Sequence, residues 1–375
     1  MSHCFSVALA LCGAMLLSAA ASGAESLEVS ELQDELSHPW SLDFLPDDGG
    51  LLITERDGRL RRWRADSGLS APIAGVPAVY ARSQGGLFDV ALAPDFPRSR
   101  RVYLSFAEAD ASGRAGTAVG YGRLSHDDTR LDDFTVIFRQ QPKLSSGSHF
   151  GGRLVFDRAG YLFVALGENN QRPTAQARDK LQGKVVRLTA EGGIPADNPW
   201  VGQTGVRTEI WSLGHRNPQG MALNPWSGAL WLNEHGPRGG DEINLPLAGK
   251  NYGWPLATHG VNYSGLKIPE AQGEGAPGTE APHYVWKKSP GVSGMAFYDN
   301  ARFPSWRRSL FIGALAEQNL IRLRLDGDSV IGEERLLSDR HERIRDVRVG
   351  PDGYLYVLTD ERNGKLLKVG LKTAQ

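Results

Sequence analysis

His149 is the residue in this chain best placed by type and setting to move a proton. It sits in SSGSHFGG, where small neighbours let a reactant approach the ring, and imidazole titrates near neutrality. A lone loop histidine more often makes one local hydrogen bond, so its neighbours must decide the matter. Glu168 ends the following strand-like run, LFVALGE. Two strands running out and back set Glu168 beside His149, where a carboxylate orients the ring and stabilises the charge it gains with a proton. Arg216, Arg343 and Arg345 bring three permanent cations that grip carboxylates in a fork, a set suited to a small polyanion. Gln84 and Asn217 add neutral polar groups. The run Arg59, Arg61, Arg62 and Arg64 lies within one late strand and its turn and reads as surface.

Hard oxygen donors gather in HGPRGGDEIN, where Gly236 and Pro237 offer carbonyls and Asp241 and Glu242 carboxylates, a chemistry suited to Ca²⁺. Glu-Ile-Asn there reads as a turn. His215, Glu234 and His235 suggest zinc less well, because Glu234 and His235 fall on opposite faces of a strand. Trp226, Trp231 and Trp254 read as packing residues. There is no Gly-rich phosphate loop, GxSxG elbow or dinucleotide fingerprint, so NAD and ATP chemistry have no support.

These residues need a frame that brings distant segments together. A short alternating strand, a turn and a second apolar strand recur from Trp40, Phe88, Arg153, Gly220, Gly294 and Asp346, at irregular spacings of roughly 50 to 75 residues. The excess length sits in polar stretches, residues 171–203 and 259–281, that read as loops. Such sets stay stable when packed radially, which predicts an all-β, six-bladed β-propeller, with the segment 27–36 completing the last blade. Two β-sandwiches fit less well, since no linker divides the chain. The segments holding Gln84, His149, Arg216–Asn217 and Arg343–Arg345 each precede an innermost strand and so converge on one channel mouth.

Composition sets the remaining bounds. The 375 residues include 45 glycines, 21 prolines and nine tryptophans with 41% apolar content, a turn-rich globular chain. A net charge of −1 argues against nucleic acid or an anionic membrane as the main partner. Residues 1–24 read as a signal peptide, with small-residue cleavage sites after the apolar run from Phe5 to Ala20. That run is short for an uncleaved anchor, and Leu11 fits poorly before a lipidated Cys12. Cys4 and Cys12 are the two cysteines, so the mature domain, residues 25–375, has no disulfide and no thiol chemistry, as suits a bacterial periplasm.

Four longer runs, HFGGRLVFDRAGYLFVALGENNQRP, GHRNPQGMALNPWSGALWLNEHGPRGGDEIN, KNYGWP and RIRDVRVGPDGYLYVLTDE, make the chain resemble the soluble pyrroloquinoline quinone (PQQ)-dependent sugar dehydrogenases, most closely their aldose sugar dehydrogenase branch. The resemblance covers nearly the whole mature chain. It implies a six-bladed propeller that oxidises aldose sugars at C1 to lactones, with His149 as general base, Glu168 polarising it and Arg216 beside the reacting centre. It implies PQQ contacts at Gln84, Arg216, Asn217, Tyr263, Arg343, Arg345 and the strand end Ala314, Leu315, Ala316 and Glu317. It implies Ca²⁺ on the main-chain oxygens of Gly236 and Pro237, and a second Ca²⁺ at Glu242 and the Tyr252 carbonyl. The chain departs from the family at Ala316, where a lysine is usual, and loss of that cation is expected to weaken cofactor binding or change acceptor use. The rival functions are a calcium-dependent sugar-lactone hydrolase and a non-catalytic PQQ-binding propeller. The preferred sugar and the electron acceptor are not legible, and a monomer is expected.

Overall fold

Strands with one apolar face need cover on both sides of each sheet, and a ring of sheets supplies it. The computed structural model describes residues 26–46 and 50–372 and forms six four-stranded antiparallel sheets. Their innermost strands are Pro39–Phe44, Leu87–Leu92, Gly151–Phe156, Pro218–Leu223, Val292–Tyr298 and Ile344–Val349, which number blades 1 to 6. A buried apolar cluster fills each junction between neighbouring blades. Leu154, Val164 and Val186 of blade 3, for example, meet Tyr103 and Val119 of blade 2. Each such Leu or Val contributes roughly 1.5–3 kcal/mol by leaving water.

The segment Leu27–Leu36 pairs antiparallel with Gly364–Leu371, from Leu27 opposite Leu371 to Leu36 opposite Gly364. Both chain ends thus share blade 6, and the ring has no open seam. The signal-peptide assignment, residues 1–24, lies outside the described residues. No helix among the described residues is long and apolar enough to cross a membrane.

Five of the innermost strands share one burial pattern, four buried residues and then two half-buried ones. All six carry a register shift near the first residue, between Gly151 and Leu154 in blade 3 and between Ile344 and Asp346 in blade 6. Such a bulge bends the strand and re-aims side chains at its end, which here is the mouth. Deeper in the channel, the fully buried Arg153 reaches Asp89 and Asp346, each at 3.2 Å. Gly294 faces this cluster because a Cβ there would stand 1.8 Å from Asp346 Oδ1. The ion pairs tie blades 2, 3 and 6 together.

Two readings of the loops need correction. Residues 171–203 include the strand Lys184–Leu188, the third of blade 3. A lysine at its head hid it, yet Lys184 is buried because its ammonium donates to the carbonyls of Thr174, Ala175 and Gln182 at 2.9, 3.0 and 2.6 Å. Glu-Ile-Asn is no turn but part of the strand Asp241–Asn244 of blade 4.

Candidate active site

His149 takes a left-handed backbone conformation, φ 53°, just before the bulge of blade 3. Phe150 fixes the chain there by packing 5.7 Å from Phe88. The His149 N–H donates to Gln84 Oε1 at 2.8 Å, and its carbonyl accepts the Asn169 N–H at 3.1 Å. Gly167 lets the two strands approach, since a Cβ there would lie 2.0 Å from the His149 oxygen. The ring is thereby turned onto Glu168, with Nδ1 2.7 Å from Oε2. A carboxylate only accepts, so Nδ1 carries the proton and Nε2 of the neutral ring is left as a base. Glu168 is fully buried; Oε2 also accepts the Asn170 N–H at 3.0 Å, and Oε1 is buried without a partner.

Gln84, Phe150, Gly151, Asn217, Arg343 and Arg345 line one cavity of about 190 Å³, so blades 2, 3, 4 and 6 meet at this mouth. The arginines arrive with a counter-ion. Asp360 Oδ2 accepts from Arg343 Nη2 at 3.0 Å and from Arg345 Nη2 at 2.8 Å. Burial pulls the Asp360 carboxyl up, but the Arg345 and Arg343 guanidiniums outweigh it and hold it well below the usual carboxylate range. Arg345 Nη1 also reaches Gln219 Oε1 at 3.1 Å, and Arg343 Nη1 the Leu315 carbonyl at 3.1 Å.

Arg216 differs from the expectation. Like His149 and Glu168, it lines neither cavity; its Nη1 donates to the Gly236 and His235 carbonyls at 2.8 and 3.2 Å, its Nε is buried without a partner, and the Trp254 ring is 5.3 Å away. The guanidinium lies behind the wall and braces it.

A second cavity of about 590 Å³ shares His235, Leu315 and Arg343 with the first. Tyr263 and Ala316 line it, as do Gly236 and Pro237, and Tyr263 is 74% exposed. Ala314 is buried in its strand, and Glu317 turns to Arg335 at 2.9 Å, so neither faces the cavities. His235 stands between the two spaces. Burial pushes its pKa down, and its Nε2 meets the Val292 carbonyl at 2.6 Å, so the ring is neutral with Nε2 as donor.

The donors present can be set against the groups that the resemblance implies. A polyanion such as PQQ fits the inner cavity, because Arg345 Nε is buried without a partner on a wall that also holds Arg343, Asn217 and Gln84. Calcium at Gly236 fits less well, because that carbonyl already accepts from Arg216. Calcium at Glu242 fits. Glu242 lies opposite Glu234 across two strands, and the Asn244 amide is shared between them at 2.9 and 3.0 Å. Burial and then the Glu234 charge push the Glu242 carboxyl well above its ordinary value, the condition a divalent cation relieves. The Tyr252 ring stacks on His215, which bonds Glu234 at 2.8 Å, so the residue that carries the second expected ligand packs against the same cluster.

Asp360 and Gln219 escaped the reading of the sequence, and His235 entered it only as a poor zinc candidate. A repeat-aligned signal was there for Asp360, since the second strand of blades 1, 3, 4 and 6 ends in or just before an acid. These are Glu55, Glu168, Glu234 and Asp360, and each accepts from an arginine or pairs with a histidine at the same mouth.

The Glucose / Sorbosone dehydrogenase family matches residues 36–368. Aldose sugar dehydrogenase YliI of Escherichia coli strain K12 is 66% identical over 344 residues, 92% of this chain and 93% of that protein. A crystal structure of a glucose dehydrogenase, 74% identical, superposes with a TM-score of 0.91 over 92% of this chain and 100% of its own. The PQQ-bound form of the aldose sugar dehydrogenase of Streptomyces coelicolor, 27% identical, superposes at 0.75 over 92% of this chain and 99% of its own. A family match across nearly the whole ring, with relatives alike from end to end, means that this chain belongs to the glucose/sorbosone dehydrogenase family.

Proposed function

We propose that this protein is a PQQ-dependent dehydrogenase that oxidises aldose sugars at C1 to lactones after export to the periplasm, working as a monomer. The observation that carries the reading is the buried His149–Glu168 pair, 2.7 Å apart, with His149 bonded through its N–H to Gln84 and followed by Phe150 and Gly151, three residues that line the arginine-bearing cavity. His149 Nε2 takes the proton of the anomeric hydroxyl while Glu168 holds Nδ1–H and offsets the charge of the protonated ring. Arg343, Arg345, Asn217 and Gln84 hold the cofactor carboxylates, with Asp360 keeping both guanidiniums aligned. PQQ, when bound, supplies the acceptor for the two electrons and hydrogen that leave C1. Arg216 acts through the wall it braces, and Glu242 with the Tyr252 carbonyl holds a structural Ca²⁺. The Glu168 to His149 relay needs no metal, so it is a property of the chain itself.

The test is reconstitution of purified protein with PQQ and Ca²⁺, followed by dye reduction with a panel of aldoses. Turnover that requires PQQ and vanishes in His149→Asn is expected. Absence of turnover with every aldose, together with an unchanged PQQ absorbance spectrum, overturns the reading.

A further inference from the structure

One cation on the wall of the inner cavity has no part in the function proposed above. Arg56 lines that cavity together with Gln84, Asn217, Arg343 and Arg345. It directly follows Glu55, the acid that ends the second strand of blade 1, Leu51–Glu55. His235 follows Glu234 in the same way in blade 4 and lines the same cavity. Main-chain contacts fix Arg56 in place. Its N–H donates to the His38 carbonyl at 3.1 Å, and its carbonyl accepts the Leu87 N–H at 3.0 Å, which ties blade 1 to the innermost strand of blade 2. Gly86 packs against it, since a Cβ there would stand 2.5 Å from Arg56 Cγ and 2.0 Å from its carbonyl oxygen. Two residues earlier, Gln84 Oε1 accepts the His149 N–H at 2.8 Å. Arg56 therefore stands beside the segment that positions the base.

The acids around Arg56 are already taken. Glu55 Oε2 accepts from Arg59 Nε at 2.8 Å and from Arg61 Nη1 at 3.3 Å, while Oε1 accepts the Ser37 N–H at 2.6 Å. Asp57 pairs with Arg59 at 3.0 Å. Asp360, on the cavity wall, is shared by Arg343 and Arg345. The half-buried Arg56 side chain forms no ion pair and no hydrogen bond among the described residues. Its guanidinium is thus free to fork onto an acid from outside the protein. The wall sets three guanidiniums, Arg56, Arg343 and Arg345, against the one carboxylate of Asp360, an excess of two positive charges. Without Arg56 the excess is a single charge, which leaves a tricarboxylate such as PQQ poorly balanced. A neutral aldose offers this wall no carboxylate at all.

We infer that Arg56 is a third guanidinium of the cofactor site, which takes one PQQ carboxylate from the blade 1 side while Arg343 and Arg345, tied to Asp360, take another. This rests on the proposed PQQ dependence. Because Arg56 has no acid partner within the protein, its replacement leaves no buried charge unpaired and affects binding without affecting the fold.

The experiment titrates PQQ into cofactor-free protein at constant Ca²⁺ and follows tryptophan fluorescence, to which Trp40 on the cavity wall contributes, and the cofactor absorbance. Wild type is compared with Arg56→Gln, Arg56→Lys and Arg59→Gln, the last removing a charge from the same hairpin that lines neither cavity. In Arg56→Gln the Kd for PQQ rises about 10- to 100-fold and the thermal melt is unchanged. Arg56→Lys keeps the charge, loses the fork and recovers part of the affinity. Arg59→Gln stays within about threefold of wild type. Wild-type affinity in Arg56→Gln overturns the inference, as does a lowered melt, which would place the residue in the fold. An equal loss in Arg59→Gln also overturns it, because the effect is then a general field. So does an unchanged Kd for PQQ with a raised KM for glucose, which gives Arg56 to the sugar. Wild-type protein that binds PQQ but oxidises no aldose removes the proposed reaction and leaves the Arg56 contact standing, whereas wild-type protein that binds no PQQ removes both.

Discussion

Replacing Glu168 by glutamine separates the chemistry of the base from the stability of the ring. The wild-type carboxylate is fully buried and lies 2.7 Å from His149 Nδ1. When the ring accepts a proton, charges about 4 Å apart attract by roughly 4 kcal/mol at an effective dielectric constant of about 20. A glutamine oxygen in the same place keeps a hydrogen bond worth about 1 kcal/mol. The difference, about 3 kcal/mol, predicts a fall in kcat on the order of 10²-fold. KM should move little, because Glu168 lines neither cavity. Stability should not fall with activity. At rest the neutral ring leaves Glu168 as a buried anion with one oxygen unpartnered, so the amide removes a charge that burial disfavours. Steady-state kinetics with a dye acceptor and a thermal melt of the same sample test both parts. A variant within about threefold of wild type in kcat would refute the reasoning. So would a loss of kcat accompanied by a melting temperature several degrees lower.

Other regions of the ring give independent tests. Asp360→Asn should cost about 1–3 kcal/mol at pH 7, because two partly buried guanidiniums lose their acceptor. Since the folded carboxyl lies below its unfolded value, this contribution is full above about pH 4 and fades as pH falls through the lower folded value. Urea midpoints of variant and wild type should therefore differ at pH 7 and draw together toward pH 2. Calcium at 100 times its dissociation constant should stabilise the wild type by about 2.7 kcal/mol and leave Glu242→Gln nearly unaffected, as read by melting with and without chelator. Burial pulls Lys184 down to about 7, so the unfolded chain binds the extra proton between about pH 7 and 10 and wild-type stability gains from rising pH there. Lys184→Met should remove that pH-dependent gain and cost about 1–3 kcal/mol from carbonyls left unbonded; denaturant midpoints at pH 7 and 9.5 check it.

The blades were legible because alternation is a local property. Trp40, Phe88, Arg153, Gly220, Gly294 and Asp346 all fall on innermost strands, and the pairing of Leu27–Leu36 with the last blade followed from closing a ring. His149, Gln84, Asn217, Arg343 and Arg345 could be grouped because each lies just before or at the start of such a strand. What stayed hidden depends on neighbours distant in sequence. Arg216 looked like a mouth residue, but only the packed turn at His235–Gly236 reveals that its Nη1 donates to two carbonyls. Asp360 went unnoticed because nothing local announces the two arginines that close on it. Lys184 looked like loop surface because nothing local announces three buried carbonyls as its partners.

The central claim, that His149 is the base of a PQQ-dependent sugar oxidation, is tested most directly without any external acceptor. Protein loaded with one equivalent of PQQ is mixed anaerobically with glucose, and the cofactor spectrum is followed in wild type and His149→Asn. The account predicts rapid reduction of bound PQQ in the wild type. In the variant it predicts PQQ binding of similar affinity and reduction slower by on the order of 10²-fold or more. Reduction at the wild-type rate in the variant, or failure of the loaded wild type to reduce its cofactor with any aldose, would contradict it.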